Sequence, residues 1–139
     1  MKTHRLEVGE AVVEITVVDD IIYAKGLNLI DDATAIALIN YIRSILDETS
    51  HTVRVYDASS ISSDRFVLSS KLIGELAFRA RQMNANAPEC SNIYFIAPEP
   101  LIFGLARMLE MQAANESVIY HVVNSIDDLP EVIRSKLPV

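Results

Sequence analysis

The chain has 139 residues, half of them hydrophobic, and a formal net charge of −7 at pH 7. A chain of this length can bury one hydrophobic core, so we expect a single domain spanning residues 1–139. The acidic excess repels phosphate backbones and anionic lipid head groups, which argues against nucleic acid and acidic membranes as partners. No apolar run is long enough to span a bilayer, and no signal peptide is evident. We therefore expect a soluble, cytoplasmic protein.

Hydrophobic residues near the N-terminus alternate as they do in β-strands. Residues 11–18 carry valine or isoleucine at every second position, and residues 21–27 form another apolar run. Asp19 and Asp20 separate the two runs, and this spacing favours a two-residue hairpin turn. Residues 4–8 are a candidate for a further strand. The sequence therefore predicts an antiparallel pair at the start of the chain.

After residue 28 the apolar period becomes helical, and strands then alternate with helices. Asp31 or Asp32 is a suitable N-cap for a first helix that ends near Glu48. The later predicted elements are strands at 52–57, 93–97 and 118–123, and helices at 64–83, after Pro100 and after Ser125. Short connections of this kind imply right-handed crossovers and parallel pairing. We expect an α/β domain with a mixed, mostly parallel sheet and about four helices.

This order of elements resembles the STAS fold of the bacterial anti-sigma-factor antagonists and of related lipid-binding-protein-like domains. The residues that carry the resemblance read VRVYDAS at 53–59 and APEPLIFGLARM at 97–108. The second segment is similar to one found in stand-alone bacterial STAS-like proteins of unassigned activity. The resemblance implies a STAS-like domain that acts as a non-catalytic regulatory or protein-interaction module.

A serine-rich loop follows the strand at 52–57. In the antagonists this strand leads to an Asp-Ser-Ser-Gly sequence with a phosphorylated serine, whereas this chain reads SSDRFVL at 62–68, so the phosphoserine does not transfer. The loop is either a regulatory site at the carboxyl end of a parallel strand or a plain turn that caps the next helix. Its candidate residues are Asp57, Ser59, Ser60, Ser62, Ser63 and Asp64.

Two further surfaces are candidates for recognition. Strand alternation predicts that one sheet face is left uncovered by the helices and carries Tyr23, Lys25, Arg54, Tyr56 and Tyr94. The alternative is that these are ordinary strand residues covered by the N-terminal segment. The helix after Pro100 is apolar on several sides, which suits deep burial, self-association or a groove for an apolar ligand. Its candidate residues are Leu101, Phe103, Met108 and Met111.

Enzyme chemistry finds little support in the sequence. His4, His51 and His121 are far apart, and none lies in a metal-ligand motif. The chain has neither a nucleophile elbow nor a glycine-rich phosphate loop. A catalytic triad of Ser59, His121 and Asp57 could be drawn, but the sequence does not show that the three residues lie close together. We expect no catalytic, cofactor-binding or metal-binding residues. The expected partner is an unknown protein, including a second copy of the chain, or a small apolar ligand; an uncharacterised enzyme is the third hypothesis.

Overall fold

The structure is a computed structural model that describes residues 1–48, 51–85, 91–113 and 118–138. The strands in these ranges are β1 (Lys2–Val8), β2 (Ala11–Val18), β3 (Ile21–Gly26), β4 (Ile30–Asp31), β5 (Val53–Asp57), β6 (Phe66–Val67), β7 (Ser91–Ile96) and β8 (Val118–Val123). The helices are α1 (Asp32–Glu48), α2 (Ser70–Asn84), α3 (Pro100–Ala113) and α4 (Glu131–Arg134).

A six-stranded sheet in the order β1-β2-β3-β5-β7-β8 forms the centre of the fold, and β4 pairs with β6 in a second, two-stranded sheet. The strands β1, β2 and β3 are antiparallel neighbours, and β3, β5, β7 and β8 are parallel. The predicted hairpin turn at Asp19 and Asp20 is confirmed. Asp19 has a positive φ of 52°, which aspartate tolerates better than most residues do. The mixed, mostly parallel α/β sheet is confirmed as well.

The predicted first helix is confirmed, whereas the predicted start of the second helix is wrong. Asp31 caps α1, because its Oδ1 accepts a hydrogen bond from the Thr34 backbone N–H at 2.9 Å. Helix α2 begins at Ser70 rather than at residue 64, with Ser69 as its N-cap. The preceding residues form a 3₁₀ turn and β6, which pairs in parallel with β4. Because Phe66 and Val67 are paired with β4, they cannot also be part of a longer α2.

The last predicted helix is divided into two parts. Ser125 caps a 3₁₀ turn at Ile126–Asp128, and α4 begins only after Pro130. A residue that precedes proline is pushed toward extended backbone, and Leu129 has such a conformation, with ψ of 149°. The proline therefore ends the first turn and starts the second.

Both faces of the sheet are covered. Helices α1, α2 and α3 pack on the face that includes Ile15, Ile22 and Ile93. The other face includes Val55 and Tyr94, and the C-terminal segment covers it with Leu129, Ile133 and Leu137. The short α4 therefore closes a second core, although it has only four residues.

Two neighbouring residues of α4 test this second core. Ile133 is buried at 6% exposure and Val132 is 68% exposed. Truncation of a buried isoleucine leaves a cavity, so we expect Ile133→Ala to lower the free energy of unfolding by about 2–5 kcal/mol. The matched change Val132→Ala should alter it by less than about 0.5 kcal/mol. Chemical denaturation measures both, and equal losses would contradict the packing of α4 on the sheet.

Candidate functional site

An apolar pocket of about 160 Å³ lies between the sheet and helices α1, α2 and α3. Its lining includes Leu38 and Ile39 from α1, Leu76 and Ala80 from α2, and Leu105 and Ala106 from α3. Alanine at helix positions that face the sheet leaves space that a larger side chain would fill. Aliphatic cavities of about 150 Å³ in proteins bind molecules of the size of benzene, so this pocket is large enough for a small ligand.

The polar end of the pocket is formed by side chains of the sheet. Arg54, Tyr56 and Tyr120 line it, and Arg54 is only 4% exposed. The Arg54 Nη2 donates to Asn84 Oδ1 at 2.5 Å, and the Asn84 Nδ2 donates to the Tyr120 hydroxyl at 2.8 Å. Burial raises the pKa of Tyr120 to about 12. This chain of hydrogen bonds ties β5, α2 and β8 together.

Helices α1 and α2 are joined by two polar bridges alongside the pocket. The Asp32 carboxylate accepts hydrogen bonds from the Ser69 backbone N–H and hydroxyl, both at 2.9 Å. Further along, the Arg79 Nη1 donates to Asn40 Oδ1 at 3.2 Å. These exposed bonds fix the separation of the two helices that flank the pocket.

The carboxyl end of the sheet closes the pocket through a small apolar cluster. Ile61, Ala97 and Ile102 are buried there, and Ile30 and Phe66 of the two-stranded sheet pack against them. Gly26 permits this packing, because a Cβ at that position would lie 3.1 Å from Ile30 Cδ1. The β4 and β6 pair therefore acts as a cover over this end.

The prediction of one uncovered recognition face is wrong. Val55 of β5 pairs with Tyr94 of β7, so Tyr94 shares its face with Val55 and not with Arg54 or Tyr56. Tyr23, Lys25 and Tyr94 lie on the face that the C-terminal segment covers, whereas Arg54 and Tyr56 face the pocket. Tyr23 and Arg54 are also buried, at 2% and 4% exposure. Parallel register, which the sequence does not reveal, separates the five residues.

Asp57 is held at the end of β5 by two hydrogen bonds. Its Oδ2 accepts a hydrogen bond from the Tyr23 hydroxyl, and its Oδ1 accepts one from the Ser59 backbone N–H at 2.9 Å. Burial, together with the hydrogen bond to Asp57, raises the pKa of Tyr23 well above its usual range. The aspartate therefore joins the second core to the start of the serine-rich loop.

The four candidate serines of that loop, Ser59, Ser60, Ser62 and Ser63, are exposed, while Ile61 between them is buried. The Ser62 hydroxyl donates to Asp64 Oδ1 at 2.6 Å, which lowers the pKa of Asp64. The prediction that this loop caps the next helix is wrong, because α2 begins at Ser70. Whether the loop has a regulatory role stays a prediction.

The candidate residues of α3 divide into exposed and half-buried positions. Leu101, Met108 and Met111 are 54%, 46% and 81% exposed. At 100° per residue they lie on one side of the helix, and we call them the apolar stripe. Phe103 instead packs against the cluster of Ile61, Ala97 and Ile102.

The described contacts do not join Ser59, His121 and Asp57 into a catalytic set. The His121 Nε2 lies 3.0 Å from Asn92 Oδ1, and its ring stacks on Tyr94. Within the described ranges, no three His, Cys, Asp or Glu side chains come together in a way that could hold a metal ion. Cys90 lies outside these ranges.

Asn84 is the polar residue of the site that the sequence reasoning missed. It is fully buried, bonds with Arg54 and Tyr120, and lies four residues after the buried Ala80. Positions four apart share one side of a helix. A polar residue at a position that continues the apolar side of a helix therefore indicates a buried polar side chain, and this signal was available in the sequence.

No protein-family model and no curated protein matches the chain. Among solved structures it is similar to the anti-sigma factor antagonist SpoIIAA in its unphosphorylated form, with a TM-score of 0.59 and 11% identity over 88% of this chain and 97% of that one. The chain has a STAS-like fold. The domain is also similar to an uncharacterised DUF3478-family protein with a SpoIIAA-like fold from Shewanella loihica PV-4, with a TM-score of 0.47 and 9% identity over 91% and 88% of the two chains.

The similarity to SpoIIAA confirms the fold that the resemblance implied. In the described part of this STAS-like domain, no helix combines the length and the apolar character needed to cross a membrane.

The buried hydroxyl of Tyr23 predicts a loss of stability at alkaline pH. Because the pKa of Tyr23 is raised in the folded domain, the unfolded chain loses this proton first, near pH 10. The stabilising effect is complete below pH 10 and is lost as the pH rises further. The free energy of unfolding should therefore fall less steeply above pH 10 in Tyr23→Phe than in the unmodified protein.

Urea denaturation between pH 8 and 11 measures this difference. Tyr94 and Tyr120 also have raised pKa values, but they are present in both proteins and their effect is shared. Parallel pH profiles for the two proteins would rule out a perturbed Tyr23.

Proposed function

We propose that the protein is a non-catalytic, STAS-type regulatory module that binds a small apolar ligand in its pocket. The observation that carries the proposal is the space of about 160 Å³ between the sheet and α1, α2 and α3. Interiors of folded proteins are close-packed, so an apolar space of this size in a small domain calls for an explanation. A ligand supplies one, since it would restore the missing contacts. The fold shared with SpoIIAA supports the regulatory part of the proposal.

The lining suggests binding rather than catalysis. Most lining residues are aliphatic or aromatic, and such walls stabilise a ligand without reacting with it. Asp57 is also a lining residue, and its carboxylate already accepts hydrogen bonds from Tyr23 and Ser59. Arg54 and Tyr120 are linked through Asn84. The polar groups of the pocket are therefore arranged to orient a ligand.

The size of the pocket sets a scale for the affinity. A ring of benzene size buries on the order of 150 Å², and apolar burial contributes about 25 cal/mol per Å². The apolar contacts then supply about 4 kcal/mol, which corresponds to a dissociation constant of about 1 mM. Tighter binding needs a polar anchor as well.

Filling the pocket tests the proposal. Ala80 lines it and is 4% exposed, so Ala80→Leu should occupy the space and weaken the binding of 1-hexanol or indole at least tenfold. The melting temperature of the free protein should stay the same or rise, because the larger side chain fills a cavity. Gly74→Ala is the control, since this glycine lies on the same helix with nothing near its Cβ position.

Calorimetric titration and thermal denaturation give these values, and native mass spectrometry of protein purified from its source shows any retained molecule. Binding of the probes that is equal in Ala80→Leu and the unmodified protein would overturn the proposal. So would the absence of both a retained molecule and any probe binding.

A second candidate function is self-association through the apolar stripe of Leu101, Met108 and Met111. Large apolar side chains that are exposed together mark interaction surfaces more often than scattered ones do, and these three lie on one side of α3. A second copy of the chain could cover the stripe with its own.

Sedimentation velocity distinguishes this candidate. Met108→Glu places a charge in the stripe and should shift a dimer toward the monomer at least tenfold in dissociation constant. Ser44→Glu adds the same charge to an exposed position of a different helix, α1, and should leave the dimer unchanged. A monomeric unmodified protein at tens of micromolar would exclude this function.

A further inference from the structure

We propose that Arg54 selects the ligand of the pocket, and that this ligand is a small apolar molecule with a single carboxylate. The inference rests on the proposed function, because it names the chemical class of ligand for the same pocket. Two observations lead to it. The Arg54 side chain is buried, and none of the carboxylates in residues 1–48, 51–85, 91–113 and 118–138 lies beside it.

Arg54 lies on the central strand β5 and points to the side that the helices cover. It pairs with Ile22 on one neighbouring strand and Ile93 on the other, and both are buried at 1% exposure or less. The side chain of arginine carries a positive charge in proteins. Removing its charge from water is costly unless an anion is paired with it.

The protein meets this requirement only in part. The Arg54 Nη2 donates to Asn84 Oδ1 at 2.5 Å, and Nη1 lies 3.9 Å from the Met83 sulfur. An amide oxygen is neutral, and a thioether is a weak acceptor. In the described residues, no Asp or Glu oxygen lies within 4 Å of the guanidinium. Among the described residues, the positive charge of Arg54 therefore has no counter-ion.

Arg54 has N–H groups that the described contacts do not use. A guanidinium has five N–H groups, of which the described contacts use two. Among the described residues, no fully enclosed polar side-chain atom lacks a hydrogen-bond partner, so the unused Nε is not sealed inside the core. Arg54 is itself part of the pocket wall. A ligand in the pocket can therefore accept from it.

Tyr56 adds a second donor at the same end. It follows Arg54 by two residues, lines the pocket and stacks on Phe95 with ring centroids 5.2 Å apart. Its hydroxyl has no hydrogen-bond partner in the described part of the chain. Both Arg54 and Tyr56 act electrostatically on the Tyr120 hydroxyl, which places the three groups together. A charged donor beside a neutral donor matches the two oxygens of a carboxylate.

A purely structural role for Arg54 is the alternative. The bond from Arg54 to Asn84 ties β5 to α2, and a neutral side chain of similar volume often replaces a buried ionic group without loss of stability. The two roles differ in their effect on ligands. If Arg54 has only a structural role, its replacement should change the affinities for acids and alcohols equally. If Arg54 binds the ligand, its replacement should weaken the binding of acids alone.

The experiment is isothermal titration of the full chain with three probes of equal length: hexanoate, hexanamide and 1-hexanol. A charge-assisted hydrogen bond strengthens binding by about 10- to 100-fold. We therefore expect hexanoate to bind at least tenfold more tightly than either neutral probe. Arg54→Met should remove this preference and leave the affinity for 1-hexanol unchanged or higher. Arg43→Met, which removes a charge from an exposed position of α1, is the control.

The outcomes separate the two levels of the proposal. If 1-hexanol binds and hexanoate binds no more tightly, the proposed preference for a carboxylate is wrong, and the pocket remains a ligand site. If none of the three probes binds, the pocket function itself is wrong. Should Arg54→Met fail to fold by circular dichroism, Tyr56→Phe decides in its place. Tyr56→Phe should weaken the binding of hexanoate several-fold and leave the binding of 1-hexanol unchanged. An equal loss of affinity for both probes would overturn the inference.

Discussion

The register of the central strand β5 between β3 and β7 determines how this domain is organised. Val55 pairs with Tyr23 on one side and Tyr94 on the other, so these three residues form a core with the C-terminal segment. The intervening Arg54 and Tyr56 are then directed at the helices. A shift of the β5 register by one residue would exchange the residues that face the C-terminal segment with those that face the helices. Such a shift would bury Arg54 against α4 and remove the polar end of the pocket.

The order and type of the elements could be predicted, because they depend on local periodicity. Alternation marks β2 and β3, and the helical period after Asp31 marks α1. The start of α2 could not be predicted, since it depends on Phe66 pairing with Ile30 at a distance of 36 residues. Serine and aspartate near residue 63 are good caps in isolation, but the pairing of β6 with β4 prevents a helix from starting there. Long-range pairing overrode local preference at this point.

The candidate site was less accessible to prediction than the fold. Asp57 was identified as part of the loop, but its bond to Tyr23 joins residues 34 apart. The pocket depends on volumes that three helices leave unfilled, and an alanine such as Ala80 looks the same in a sequence whether its surroundings are filled or empty. The sequence predicts the wrong surface for Arg54. Alternation gives the two faces of one strand, but it does not show which face continues onto the neighbouring strand.

Helix α3 connects the two candidate functions. Leu105 and Ala106 line the pocket, and Leu101 and Met108 of the apolar stripe lie on the exposed side of the same helix. If α3 has two positions, a ligand that contacts Leu105 favours the position in which its contacts are better. A partner on the apolar stripe would then select between the same two positions. Ligand and partner would therefore influence each other's affinity by the same factor, because coupling between two binding sites is reciprocal.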